Sequence, residues 1–174
     1  MSTRRIVTNG VFTALMCVLS PLSIPLVGGV PISLATLVVM IMGFFLGRKD
    51  GTICVAIYIF IGLIGIPVFS GFKAGVEVLF GITGGYIFGY LPLAYLSGLF
   101  NELSINMDTK KKILFQASGM LLGTVVLYAI GTAWFIYYTG YSIEASLAAC
   151  VLPFIPGDII KMFVTAILYN RLKK

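Results

Sequence analysis

Six apolar runs, at about 6–22, 32–46, 52–65, 74–100, 113–138 and 145–169, are separated by short polar or Pro/Gly-rich breaks, and this pattern constrains the chain more than any other feature. A helix needs about 20 residues to cross a hydrocarbon layer roughly 30 Å thick, and about 17 suffice. The runs therefore predict an all-α integral membrane bundle of six short transmembrane helices, with residues 1–174 forming one domain. Only 10% of the residues are charged and 59% are apolar, whereas an average soluble domain is about 25% charged. No stretch remains for a soluble catalytic or nucleotide-binding domain.

The basic residues report topology. Arg4, Arg5, Arg48, Lys49, Lys110, Lys111, Lys112, Arg171, Lys173 and Lys174 fall at one face of a six-span bundle, ten of the twelve Lys and Arg residues. The excess of Lys and Arg in cytoplasmic loops then predicts a multi-pass protein of the cell membrane with both termini cytoplasmic, N-in and C-in. Clusters this short, set between apolar runs, do not make a nucleic-acid-binding face. Trp134, Tyr137, Tyr138 and Tyr141 collect at the opposite end, as an aromatic belt at the outer interface does. Arg4-Arg5 before an apolar run is similar to a secretory signal, but the run leads through Pro21 and Pro25 into further span, so a retained first helix is expected.

Lys73 and Lys161 depart from this pattern. Each maps to the outer half and has an acid at helical spacing, Glu77 four residues after Lys73 and Asp158 three residues before Lys161. A charge in the bilayer centre costs roughly 2.5–3.5 kcal/mol even on insertion scales, so such residues face a cavity and mark a substrate path. Two ion pairs that merely join spans are the less economical reading, because apolar pairs would do the same packing. Around them the chain is Gly-rich: Pro67, Gly71, Gly75, Gly81, Gly84 and Gly85 precede or accompany Thr83 and Tyr86. Small residues also pack membrane helices together. Pro153 and Pro156-Gly157 break the sixth span just before Asp158, and a helix start there points free N–H groups toward the same outer cavity. Such a pocket suits a small, largely apolar molecule with one carboxylate and one strong hydrogen-bond donor. The carboxylate would pair with Lys161 or Lys73, and the donor with Asp158.

Other chemistries lack their residues. There is no His, no nucleotide-binding GxxxxGK[ST] loop, and no metal-ligand spacing among Cys17, Cys54 and Cys150, which read as core residues. Ser70, Ser118 and Ser146 have no motif that pairs any of them with a base, so a small intramembrane enzyme is disfavoured. No cofactor or metal is expected.

PVFSGFKAGVEVLFGITGGYIFGY, from Pro67 to Tyr90, and the later PFIPGDIIK, together with the Pro-rich first loop ending in PISLATL, resemble the BioY family. Its members are biotin-specific S components of energy-coupling factor (ECF) transporters. The resemblance extends over the whole chain. It implies capture of extracellular biotin in a pocket closed by the loops after the first and third spans. Delivery inward would follow docking on a transmembrane coupling protein driven by two ABC-type ATPase subunits, all within membrane lipid. It assigns Lys73, Glu77, Thr83, Gly84, Gly85, Tyr86, Asp158 and Lys161 to the pocket, and Gly10 and Ala14, a small-xxx-small pair on the first span, to partner docking. An S component for another small vitamin is the alternative that it leaves. Three positions depart from the family pattern: Ile82 stands where GPTGGY has proline, Ala35 where many members have Gln, and Lys73 where a neutral polar residue is frequent.

Overall fold

The protein, described here as a computed structural model over residues 2–25 and 30–172, is mostly helical, with one pair of two-residue strands. Helix α1 (Thr3–Leu19) ends just before Pro21, and the chain then forms β1 (Ser23–Ile24) and β2 (Ile32–Ser33), paired antiparallel with Ser23 opposite Ser33 and Ile24 opposite Ile32. Of the expected first loop, Gly28 and Gly29 lie outside the described residues, as do Lys173 and Lys174 of the basic tail. Helices α2 (Ala35–Leu63), α3 (Val76–Leu79), α4 (Gly84–Leu103), α5 (Thr109–Thr139), α6 (Ile143–Cys150) and α7 (Ile155–Leu172) complete the chain.

The second and third expected runs form the two segments of α2. They meet at Gly47, whose φ of 81° and ψ of 173° break the helix, and φ > 0 is accessible to glycine without the cost that a Cβ brings. The break falls one residue before the expected Arg48–Gly51 turn, and those four residues already belong to the second segment. The segments turn back sharply, so that a Cβ on Gly51 would come within 3.1 Å of the Gly43 backbone nitrogen. Glu102 of α4 fixes this reversal. Its Oε1 accepts the Arg48 backbone N–H at 2.8 Å, and its Oε2 lies 3.2 Å from Arg48 Nε.

Helices α2, α4 and α5 form the centre of the bundle, α1 packs on α2, and α7 packs on α2 and α5. Glycines set the α4–α5 spacing: a Cβ on Gly85 would overlap Trp134, and one on Gly123 would reach 2.8 Å from Leu93 Cδ1. Close backbone approach through small residues is how helices associate where lipid removes the hydrophobic drive. Among the described residues, α5 is long and apolar enough to cross a membrane alone, and α6 with α7, bent by 46°, passes together.

The fourth expected span is shorter than its apolar run. Helix α4 starts at Gly84, not near Ala74, because Gly71, Phe72 and Gly75 all take positive φ (73°, 57° and 92°) and turn the chain through a tight bridge between Phe69 and Lys73. Lys73 sits at the base of that hairpin and Glu77 on the single turn of α3. The expected Lys73–Glu77 pairing on one helix face is therefore corrected: both side chains are exposed, and none of the ion pairs among the described residues joins them.

The basic clusters gather at one end of the bundle. Arg5 makes a bidentate pair with Asp50 at 2.5 and 2.6 Å, Arg48 pairs with Glu102, and Lys112 lies over the Tyr169 ring near the end of α7. Between these charges a buried amide chain ties three helices, with Asn101 donating to the Phe44 carbonyl and Gln116 donating to Asn101.

Candidate ligand-binding site

At the opposite end of the bundle, the proline-broken start of α7 carries Asp158 inward, where it is 3% exposed. The chain cannot continue α6 through Pro153 and Pro156, and the 46° bend that results aims Asp158 and Lys161, one turn apart, at α2 and α5. Oδ1 of Asp158 accepts hydrogen bonds from Lys161 Nζ at 2.9 Å and from the Thr36 hydroxyl at 3.1 Å. Oδ2 accepts one from the Tyr128 hydroxyl at 2.6 Å. Lys161 also donates to the Ser33 carbonyl at 2.9 Å and to Thr36 Oγ1 at 2.8 Å.

An ammonium has three protons and no acceptor, so Lys161 is fully committed to protein atoms. An ionised carboxylate offers about four acceptor positions, of which Asp158 uses three. The cluster therefore keeps capacity for one donor from outside and none for a further acceptor.

Above it lie two adjoining lobes that share Val30, Pro31, Tyr86 and Tyr90 as a common wall. The inner lobe has Asp158, Lys161, Ser33, Thr36 and Tyr128 at its base, with Leu127 and Phe154 beside them. The outer lobe is lined by Tyr58, Phe69, Ser70, Lys73, Val78 and Thr83. Lys73 also borders an outer depression shared with Glu77, Gly81, Ile82 and Tyr138. It thus stands between the cavity and the outside.

Tyr86 is held rigidly in the wall. Its hydroxyl donates to the Cys150 carbonyl at 3.4 Å, and with its one proton spent there it accepts from Thr132 at 3.1 Å, which joins α4, α5 and the end of α6.

Of the eight pocket residues expected from the sequence, Asp158, Lys161, Tyr86, Thr83 and Lys73 line the two lobes, while Glu77 lines only the outer depression. Gly84 and Gly85 are helix-packing residues: a Cβ on Gly84 would strike the Leu79 carbonyl, and one on Gly85 the Trp134 side chain. Neither lines the cavity. Sequence reasoning missed Ser33, Thr36, Tyr58, Tyr90 and Tyr128. For Tyr128 the signal was an isolated phenol within the apolar run of α5, and for Ser33 and Thr36 the PISLATL stretch itself. Gly10 and Ala14 are exposed on α1 and border an apolar groove with Ile53 and Ile57 of α2.

The arrangement is a hydrogen-bonded polar base with one acceptor position open, set beneath aromatic walls. It defines a small-molecule binding bundle. The chain matches the BioY family over residues 1–174 and belongs to it. It is 37% identical over 171 residues to the biotin transporter BioY of Thermotoga maritima, covering 98% of this chain and 96% of that protein. It is 33% identical over 173 residues to the probable biotin transporter BioY of Pyrococcus horikoshii, covering 99% and 98%. The fold matches the crystal structure of the S-component for biotin from an ECF-type ABC transporter, with a TM-score of 0.87 and 28% identity over 99% of this chain and 94% of that one. These relatives are transport proteins and not enzymes.

Proposed function

We propose that this protein is the membrane S component of an ECF-type biotin transporter, which captures biotin from outside and makes or breaks no bond. The observation that carries this reading is the cavity base, where Asp158 keeps one free acceptor position while Lys161 is saturated. Biotin offers ureido N–H donors at one end, an apolar bicycle in the middle and a carboxylate at the end of its chain. The ureido end suits Asp158, and the aromatic wall of Tyr86 and Tyr90 suits the bicycle. The carboxylate suits Lys73, an exposed cation without an ion-pair partner among the described residues. The choice between Lys161 and Lys73 for the carboxylate thus falls on Lys73.

Six spans, with both termini and the basic clusters on the cytoplasmic side, follow from the same reading. The convergence of Arg5, Arg48 and Lys112 at the end remote from the cavity supports it. A transmembrane coupling protein with two ATPase subunits would supply energy, docking at the Gly10/Ala14 face. The deciding experiment is equilibrium binding of labelled biotin to the detergent-solubilised chain without ATP. Saturable, tight binding displaced by unlabelled biotin is expected. Binding of a different vitamin in its place would overturn the substrate.

A further inference from the structure

Tyr58 lies on the second segment of α2, is 1% exposed, and presents its ring to the outer lobe. The ring meets Phe69 edge-on, with centroids 5.7 Å apart. Its hydroxyl donates to the Val68 carbonyl at 3.0 Å, in the loop that leads into the Phe69–Lys73 hairpin. A phenol has one proton. The 2.8 Å contact between Tyr58 and Ser20 is therefore donated by Ser20, giving a directed chain from Ser20 through Tyr58 to Val68.

Ser20 is the residue that closes α1. It is fully buried, and its N–H bonds the Met16 carbonyl. The next residue, Pro21, accepts a hydrogen bond from Gly71 N–H at 3.0 Å, at the tip of the same hairpin. The hairpin that carries Ser70 and Lys73 to the cavity is thus tied twice to the outer end of α1, once directly and once through a side chain in the cavity wall.

We infer that the Tyr58 hydroxyl is a positioning group, which links closure of the hairpin over the bound ligand to the placement of the outer end of α1. The inference rests on the reading of the cavity as a biotin site and adds to it a residue that no motif marks. A ligand in the outer lobe touches the Tyr58 and Phe69 rings, and any shift of either moves the hydroxyl. The hydroxyl in turn holds Ser20. Ligand occupancy is thereby transmitted to α1, the helix whose exposed Gly10/Ala14 face packs on nothing within the chain's core.

Two variants of the full-length protein separate this linkage from simple packing. Tyr58→Phe keeps the ring and removes the hydroxyl, and Ser20→Ala removes the donor at a residue that does not line the cavity. Biotin dissociation from each, measured by chase with unlabelled biotin, is expected to be roughly three- to tenfold faster, the worth of one net hydrogen bond. Association is expected to stay within about twofold of wild type. The double variant is expected to release biotin no faster than Tyr58→Phe alone, because both remove one chain. Hydrogen exchange at residues 16–22 is expected to slow on biotin binding in the wild type and not in Tyr58→Phe.

Unchanged dissociation in both single variants, multiplied effects in the double variant, or wild-type protection of residues 16–22 in Tyr58→Phe would each overturn the linkage. A purely structural role would lower ligand-free thermal stability and leave release unaltered. If the wild type does not bind biotin, the functional reading fails instead. The linkage is then read in the ligand-free proteins, where faster exchange at residues 16–22 in both variants supports it and unchanged exchange overturns it.

Discussion

The Tyr128 hydroxyl donates a 2.6 Å hydrogen bond to Oδ2 of Asp158, joining α5 to the broken start of α7. Together with Lys161 and Thr36 it orients the Asp158 side chain and leaves one acceptor position open. The side chains of Asp158 and Lys161 are 4% and 12% exposed, and removing one partner of a buried pair costs about 3–5 kcal/mol. Asp158→Asn is therefore expected to lower the thermal midpoint and, because it replaces the charged acceptor that faces the ligand, to weaken biotin binding by roughly ten- to hundredfold. Tyr128→Phe, which removes a single neutral donor, is expected to cost roughly tenfold in affinity. Binding titrations and thermal unfolding of both variants check this, and an Asp158→Asn protein of wild-type affinity would remove the cavity base from the site.

Lys73 and Glu77 are expected to behave oppositely, since only Lys73 borders the cavity. Lys73→Gln should weaken biotin binding severalfold, change stability by less than about 0.5 kcal/mol as an exposed site does, and abolish the preference for biotin over its methyl ester. Glu77→Gln should leave affinity the same or slightly improve it. Competition with the ester, run on both variants, reads the carboxylate contact directly. An unchanged acid-over-ester preference in Lys73→Gln would return the carboxylate to another group.

Two glycines test the scaffold apart from the site. Gly47→Ala places a Cβ against Glu102 at φ 81° and ψ 173°, a backbone region that only glycine adopts readily and that costs another residue roughly 1–3 kcal/mol. Gly85→Val drives a side chain into Trp134 and the Ile130 carbonyl, where overpacking costs about 1–3 kcal/mol. Lower thermal midpoints are expected for both. Biotin affinity should be retained in Gly47→Ala, which lies at the far end of the bundle, and reduced in Gly85→Val, whose neighbour Tyr86 forms the cavity wall.

The Arg5–Asp50 pair predicts an acid limit. Hydrogen bonds from the Arg5 guanidinium hold the Asp50 carboxyl below the ordinary carboxylate range, against the opposing effect of burial. A depressed folded-state value contributes stability that is complete above the unfolded value of about 3.9 and is lost as pH falls through the folded one. Thermal midpoints of the wild type and Asp50→Asn should differ by a constant amount between neutral pH and about pH 5 and converge below about pH 4. A gap that persists in acid would assign the stabilisation to packing instead of charge.

Docking at α1 is tested by bulk. Gly10 is exposed, and a Cβ there would meet no neighbouring side chain within 4 Å, so Gly10→Trp can point away from the isolated chain. It is expected to leave biotin binding within about twofold and to abolish uptake when the coupling protein and ATPases are co-expressed. Ala14→Trp is expected to do the same. Normal uptake in both would clear this face of a role.

Hydropathy is a local property of the chain, and what depends on it was legible: an apolar, mostly helical chain and basic clusters that converge at one end. Asp158 and Lys161 were legible for the same reason, because a three-residue spacing on one helix brings them together whatever surrounds it. Their partners were not. Thr36 is 122 residues from Asp158 and Tyr128 is 30, and which residue of α2 or α5 faces α7 is set by how the helices pack on one another and not by local spacing. The same limit applied to Lys73 and Glu77, which spacing alone puts on one helix face and which Gly75 between them, at a φ of 92°, separates. The sequence by itself determined the mostly helical character, the family and the Asp158–Lys161 pair. Only the tertiary structure decided that Lys161 is saturated, that Lys73 is the exposed cation at the cavity mouth and that Gly84 and Gly85 pack helices, because each depends on contacts between segments far apart in the chain.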